Sequence, residues 1–400
     1  MSAFNLKLGS EFFKAQSQIS LSKDYAHGAK LLSAQMDAAS QMFRSNTRRY
    51  NTPPPFNIPD TTENSLLDQP FYKLTRFETD SGGHKPKLMI VAPMSGHYAS
   101  LLRSTVEGLL PDHDVHMLEW KNPRDVPLSE GVFDFERYME CLFEAMEKMG
   151  PDTHVMGISQ STVPLLAVSA YMAQTSHKAQ PKSMTLIGGP IDTRHSKTSL
   201  HDFARKVSND WLKTQITDSV PMWYKGQGRR VYPGFTQLIA LMNHGRDQHH
   251  DRLAQLYGAL VKKDLGSSAE FKSFYKDYLA AMDLDEAFFI DTLRHVYKDH
   301  SLANGTLTFR GQKIDLGALK TTSLMTIEGA DDQIAPPGET HAAQDLCPNI
   351  PANKRVKFTH PEYGHYGIAV GARFQKNIAP RITAFIKGEK QKPAPKPPKR

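Results

Sequence analysis

His154-Val155-Met156-Gly157-Ile158-Ser159-Gln160-Ser161, continued by Thr162-Val163-Pro164-Leu165-Leu166-Ala167-Val168, reads as a short apolar strand, a tight turn bearing one serine, and a helix. A serine hydroxyl can attack a carbonyl when such a turn lifts it clear of the backbone. Strand and helix approach closely around the turn, so small residues are needed two positions to either side. Gly157 and Ser161 fill those places, Ser161 standing where a second glycine is usual. Pro164 suits a helix that starts near Ser161, because first-turn N–H groups have no intrahelical acceptor.

Nucleophilic serine also needs a base to take its proton and a third group to orient that base. Thr321-Thr322-Ser323-Leu324-Met325-Thr326-Ile327-Glu328 reads as a buried strand that runs into a turn with two acids, Asp331 and Asp332. Arg355-Val356-Lys357-Phe358-Thr359 is a further strand, followed by His365 between Gly364 and Gly367 in a loop. Serine, then acid, then histidine, each at a strand end, is the chain order of the α/β-hydrolase arrangement. The fold class expected is therefore α/β, a mostly parallel sheet covered by helices on both faces.

The elements that must hold these residues follow from periodicity. Lys87–Ala92, Val115–Trp120 and Ser183–Ile187 read as strands, with Pro70–Thr79 before them; Ala99–Leu110 and Phe135–Met149 read as amphipathic helices between them. Such alternation predicts a parallel βαβ series. Residues 1–60 form a helical extension ended by Pro53-Pro54-Pro55, 61–190 the first part of the core, and 321–387 the second. Residues 191–320 break the alternation and are expected to be a helical lid inserted before the acid and histidine loops. Its aromatics Trp223, Tyr224 and Tyr232 are candidates to line an apolar substrate groove. His244, His249 and His250 with Asp247 and Asp251 match no zinc spacing and read as a solvated loop.

Composition sets outer limits. The 400 residues are 39% hydrophobic and 23% charged, ordinary for a soluble globular chain, and hold no run apolar enough to span a bilayer. The first residues lack a charged region followed by an apolar one, so a standard secretory signal is not expected. Two cysteines, Cys141 and Cys347, fit a reducing compartment. Much of the net charge of +7 comes from the tail, where Lys387, Lys390, Lys392, Lys396, Lys399 and Arg400 face a single acid, Glu389. With four prolines, residues 388–400 read as an extended basic tail that could touch an anionic surface weakly. No nucleic-acid motif accompanies it.

From about residue 70 to 386 the chain resembles the intracellular polyhydroxyalkanoate depolymerases of bacteria. The resemblance rests on Val91-Ala92-Pro93-Met94-Ser95-Gly96-His97-Tyr98, Asp114–Trp120 with Val126-Pro127-Leu128, Ile187-Gly188-Gly189-Pro190-Ile191-Asp192, Phe274–Leu284 and Gly364-His365-Tyr366-Gly367, in that order. Better-known members of that family carry cysteine in a Cys-Gln-Pro context, where this chain has Ser159-Gln160-Ser161. The resemblance implies a cytoplasmic, granule-associated ester hydrolase without metal or organic cofactor, acting on a hydroxyacyl polyester or its oligomers. A soluble carboxylesterase or thioesterase, and an inactive granule scaffold, are the alternatives. Ser159 would be the nucleophile and His365 the base. Asp332, three residues after Gly329 as in similar acid loops, would be the orienting acid, with Asp331 as alternative. The oxyanion donors would be the backbone N–H of Gln160 and that of Met94 or Ser95, with His97 bracing their turn.

Overall fold

A computed structural model describes residues 54–80, 83–234, 236–237, 277–278, 280–391 and 393. The expected N-terminal helices, the cluster from His244 to Asp251, Phe274–Lys276 and most of the basic tail lie outside these residues.

Eight strands make the main sheet: β1 (Thr61–Asp68), β2 (Tyr72–Thr79), β3 (Lys87–Val91), β4 (Asp114–Trp120), β5 (Thr153–Ile158), β6 (Ser183–Ile187), β7 (Ser323–Gly329) and β8 (Arg355–His360). Their order is β1-β2-β4-β3-β5-β6-β7-β8. β2 is antiparallel to both β1 and β4, and every pair from β4 to β8 is parallel. β3, β5 and β6 are buried almost throughout, the polar Thr153, His154, Ser183 and Thr185 included, as strands covered on both faces must be. The polar, half-exposed β1 closes the antiparallel edge, and a register shift between Ser65 and Leu67 bends it.

Helices α1 (Arg103–Leu109), α2 (Phe135–Met149) and α3 (Thr162–Gln174) follow β3, β4 and β5. α2 starts where the Asp134 carboxylate accepts the Arg137 N–H at 2.8 Å and stops at Gly150, whose φ of +72° ends the turn cheaply. Its buried stripe runs through Phe135, Tyr138, Met139, Leu142 and Met146 at spacings of three and four. α3 differs: Thr162 through Met172 are all buried, so this helix is enclosed on every side. The expected helix at Ala99 begins as a 3-10 turn, Ala99–Leu102, before α1.

Residues 191–320 are mixed rather than wholly helical. They hold α4 (Ser199–Lys206), α5 (Asn209–Gln215) and α6 (Glu286–Thr292), and also a three-stranded sheet of Asp218–Ser219, Arg230–Tyr232 and Leu284–Asp285. Phe288 of α6 is anchored on the core, stacked at 5.2 Å on Tyr138 and edge-on at 5.6 Å to Phe133. Such aromatic pairs contribute about 0.5–1.5 kcal/mol each beyond their burial. The second part of the core adds α7 (Ala342–Leu346), α8 (Gly371–Asn377) and α9 (Ala379–Ile386). No helix among the described residues is long and apolar enough to cross a membrane.

Strand order reverses direction about β3. The chain steps outward to β4, then returns to the other side for β5. Beyond the C-terminal ends of two such strands the following segments diverge and leave a crevice, the usual ligand position in open α/β sheets.

Candidate active site

Val91 at the end of β3 is the register partner of Gly157 in β5, so both segments leave the sheet at this crevice. Ser159 follows β5 at φ +57°, a left-handed conformation that costs a non-glycine residue energy. Close packing holds it there. A Cβ on Gly157 would lie 3.0 Å from Leu165 and 3.3 Å from the Thr162 backbone, tighter than normal contact. Ser161 explains how the second small position works without glycine. Its buried hydroxyl accepts the Ile158 N–H at 2.9 Å and lies 3.0 Å from the Val91 carbonyl, tying β5 to β3. Thr162 Oγ1 donates to the Ser159 carbonyl at 2.7 Å.

The acid and histidine loops are knit together by backbone bonds. Ala330 N–H donates to the His360 carbonyl at 2.9 Å and Asp331 N–H to that of Tyr363 at 3.1 Å. Asp332 is buried, whereas Asp331 is exposed. Asp332 Oδ1 accepts the N–H groups of Ile334 at 2.8 Å and Ala335 at 2.9 Å. Its other oxygen, Oδ2, is 2.8 Å from His365 Nδ1, and His365 Nε2 is 3.0 Å from Ser159 Oγ. Serine, imidazole and carboxylate thus form one continuous hydrogen-bonded line. Gly188 makes room for it, since a Cβ there would stand 3.3 Å from the His365 ring. The Gly188-Gly189 doublet after β6 was the sequence signal for this clearance.

Gly329 is where backbone crowds this assembly most, because an added Cβ would lie 2.1 Å from the Tyr363 carbonyl oxygen. Backbone cannot swing aside as a side chain does. Gly329→Ala is expected to destabilise the protein by roughly 1–3 kcal/mol and to lower ester turnover by displacing the loop of His365. Thermal unfolding alongside a turnover assay checks this, and an unchanged melting temperature would contradict it.

Met94 is fully buried and Ser95 half-buried on the turn after β3. The Gln160 amide nitrogen reaches Thr292 Oγ1 of α6 at 3.4 Å. His97 is buried, pairs by backbone with Ala281 and packs its ring 4.7 Å from that of Tyr278. Burial pushes its imidazole down to about 4, so it stays neutral. Of the three aromatics singled out, Trp223 is 71% exposed. Tyr224 lies under the Arg124 guanidinium at 5.1 Å, and Tyr232 packs 4.3 Å from Phe289 of α6. Sequence reasoning set Glu328 at the end of a buried strand but missed the buried carboxyl of Glu339. Glutamates ordinarily mark solvent.

No curated protein matches the chain. Among solved structures it is similar to a soluble variant of monoglyceride lipase from Saccharomyces cerevisiae, at 11% identity and a TM-score of 0.50, covering 85% of this chain and 99% of that one. It is also similar to bromoperoxidase from Bacillus anthracis, at 12% identity and a TM-score of 0.46, covering 82% and 99%. Likeness at such identity speaks for the fold alone. The sequence model described as PHB de-polymerase C-terminus matches residues 188–390, from the glycine beside the His365 ring through both loops of the site to the end of the core. Half of the 400 residues follow that pattern, so the chain belongs to the PHB depolymerase family of α/β-hydrolases.

Proposed function

We propose that the chain is a serine hydrolase that cleaves the ester bonds of polyhydroxybutyrate, or of its oligomers, through an acyl-serine intermediate. The observation that carries this reading is the unbroken line Asp332–His365–Ser159, at 2.8 and 3.0 Å, with the serine at the strained turn. His365 Nε2 takes the Ser159 proton as Oγ bonds to the ester carbonyl carbon. Asp332 holds the proton on Nδ1 and stabilises the imidazolium. The Gln160 N–H and that of Met94 or Ser95 receive the oxyanion, a contribution of about 3–4 kcal/mol per donor in comparable sites. The ester's alkoxide then leaves with the proton from His365. Water, deprotonated by the same ring, releases the hydroxyacyl product and restores Ser159.

The polymer substrate rests on family membership, and residues 191–320 belong to the proposal as the lid over the site. Trp223 fits contact with an aliphatic chain because its flat ring already stands in solvent. Cytoplasmic location beside the granule goes with the two free, buried cysteines.

The test is release of hydroxybutyrate products from native granules, measured beside turnover of soluble aryl esters. Trp223→Ala is expected to cut granule hydrolysis several-fold while aryl-ester turnover and melting temperature stay at wild-type values. Wild-type protein that turns over aryl esters but releases nothing from granules would make this a small-ester hydrolase.

A further inference from the structure

Glu328 is the penultimate residue of β7, opposite Thr359 of β8, and only 1% exposed. A carboxylate there needs a reason. Both its oxygens accept the Gly338 N–H at 2.9 Å, and Oε1 also accepts the His341 N–H at 2.8 Å at the start of α7. His341 Nε2 lies 3.3 Å from Oε2, while its Nδ1 meets Thr326 Oγ1 at 2.8 Å. The carboxylate therefore closes the whole segment from Gly329 to Pro337 into a loop pinned at both ends.

Asp332 sits inside that closed loop. It spends Oδ1 on Ile334 and Ala335, two residues of the same loop, and only Oδ2 on His365. Asp332 is thus as well placed as the loop is, and Glu328 fixes the loop. We propose that Glu328 is the positioning carboxylate of this site: it closes the loop that aims Asp332 at His365.

Electrostatics agree with the geometry. Burial pushes the Glu328 carboxyl up and Asp332 adds to this, while the backbone donors Gly338, His341 and Thr340 pull it back. A group surrounded by N–H donors is best satisfied as a carboxylate, which is acceptor-only. The charged and titratable neighbours are Asp332 and Glu339 on the loop and His341 at α7, with Lys357 of β8 beyond His341. Burial drives His341 down to about 4 and Glu339 up to about 8, so both are neutral near pH 7.

The inference rests on the serine-hydrolase reading, and its test separates the two. Glu328→Gln keeps an Oε1 able to accept both the Gly338 and His341 N–H groups but removes the charge. With a soluble aryl ester, and active sites counted by fluorophosphonate labelling, this variant should keep kcat per labelled site within about threefold of wild type, because the loop stays closed. Glu328→Ala removes the closure too, and should lower kcat per labelled site about tenfold or more with KM near wild type. A Glu328→Gln loss of kcat as large as that of Glu328→Ala would overturn the proposal. So would a Glu328→Ala protein whose loss lies wholly in melting temperature and number of labelled sites. Failure of the wild type to label at Ser159 would instead bring down the hydrolase reading, and this inference with it.

Discussion

Ser159→Ala and His365→Ala are each expected to lose roughly three to six orders of magnitude in turnover of an activated ester. The losses should not add, because nucleophile and base act in one proton transfer and removing either removes the step. Ser159 Oγ and His365 Nε2 are 3.0 Å apart, already within hydrogen-bonding reach. Ser159→Ala should fold normally, since alanine at φ +57° bears much the same backbone strain as serine. A fluorophosphonate should label wild-type protein at Ser159 alone. Ser161 should stay unlabelled, because its hydroxyl is buried and bonded to Ile158 and Val91. Turnover of Ser159→Ala within tenfold of wild type, or an adduct mapped to Ser161, would overturn the assignment.

The strand before Ser159 and the loops that carry Asp332 and His365 were legible because each reports itself locally. Ser183–Ile187 is bounded in the structure as its apolar run suggests, and Phe135–Met149 as its stripe, Asp134 and Gly150 suggest. Segments that draw order from partners were not legible. β1, Thr-Thr-Glu-Asn-Ser-Leu-Leu-Asp, has no clean alternation, and only its bulged pairing with β2 makes it a strand. Asp218–Ser219 and Leu284–Asp285 are too short for any period, so the stretch read as helical carries an unforeseen three-stranded sheet. The choice between Asp331 and Asp332 also needed three dimensions. Two adjacent acids look alike in sequence, yet one is exposed and the other faces His365.

Glu339 is where sequence reasoning failed most plainly, and its replacement should have the largest effect on stability. The side chain is fully buried. Its Oε1 accepts the Ser196 hydroxyl, and Oε2 has no hydrogen-bond partner among the described residues. His201 of α4 stands 3.5 Å away, and burial lowers its own pKa, disfavouring the cation there. Asp332, Glu328 and Asp192 bring like charge to the group. Burial first, and then these carboxylates, push Glu339 up to about 8 from 4.5. The sign follows. The folded state keeps a proton that the unfolded chain loses above pH 4.5, so wild-type stability declines from there until Glu339 ionises near pH 8. Glu339→Gln keeps an oxygen for Ser196 and never titrates. The variant should therefore match wild type near pH 4.5 and gain about 1.4 kcal/mol on it per pH unit. The advantage should reach on the order of 3 kcal/mol at pH 7 and level off once the wild-type carboxyl has ionised. Urea unfolding of both proteins from pH 5 to 9 measures this difference, and one that stayed constant with pH would show that Glu339 is charged in the folded protein throughout.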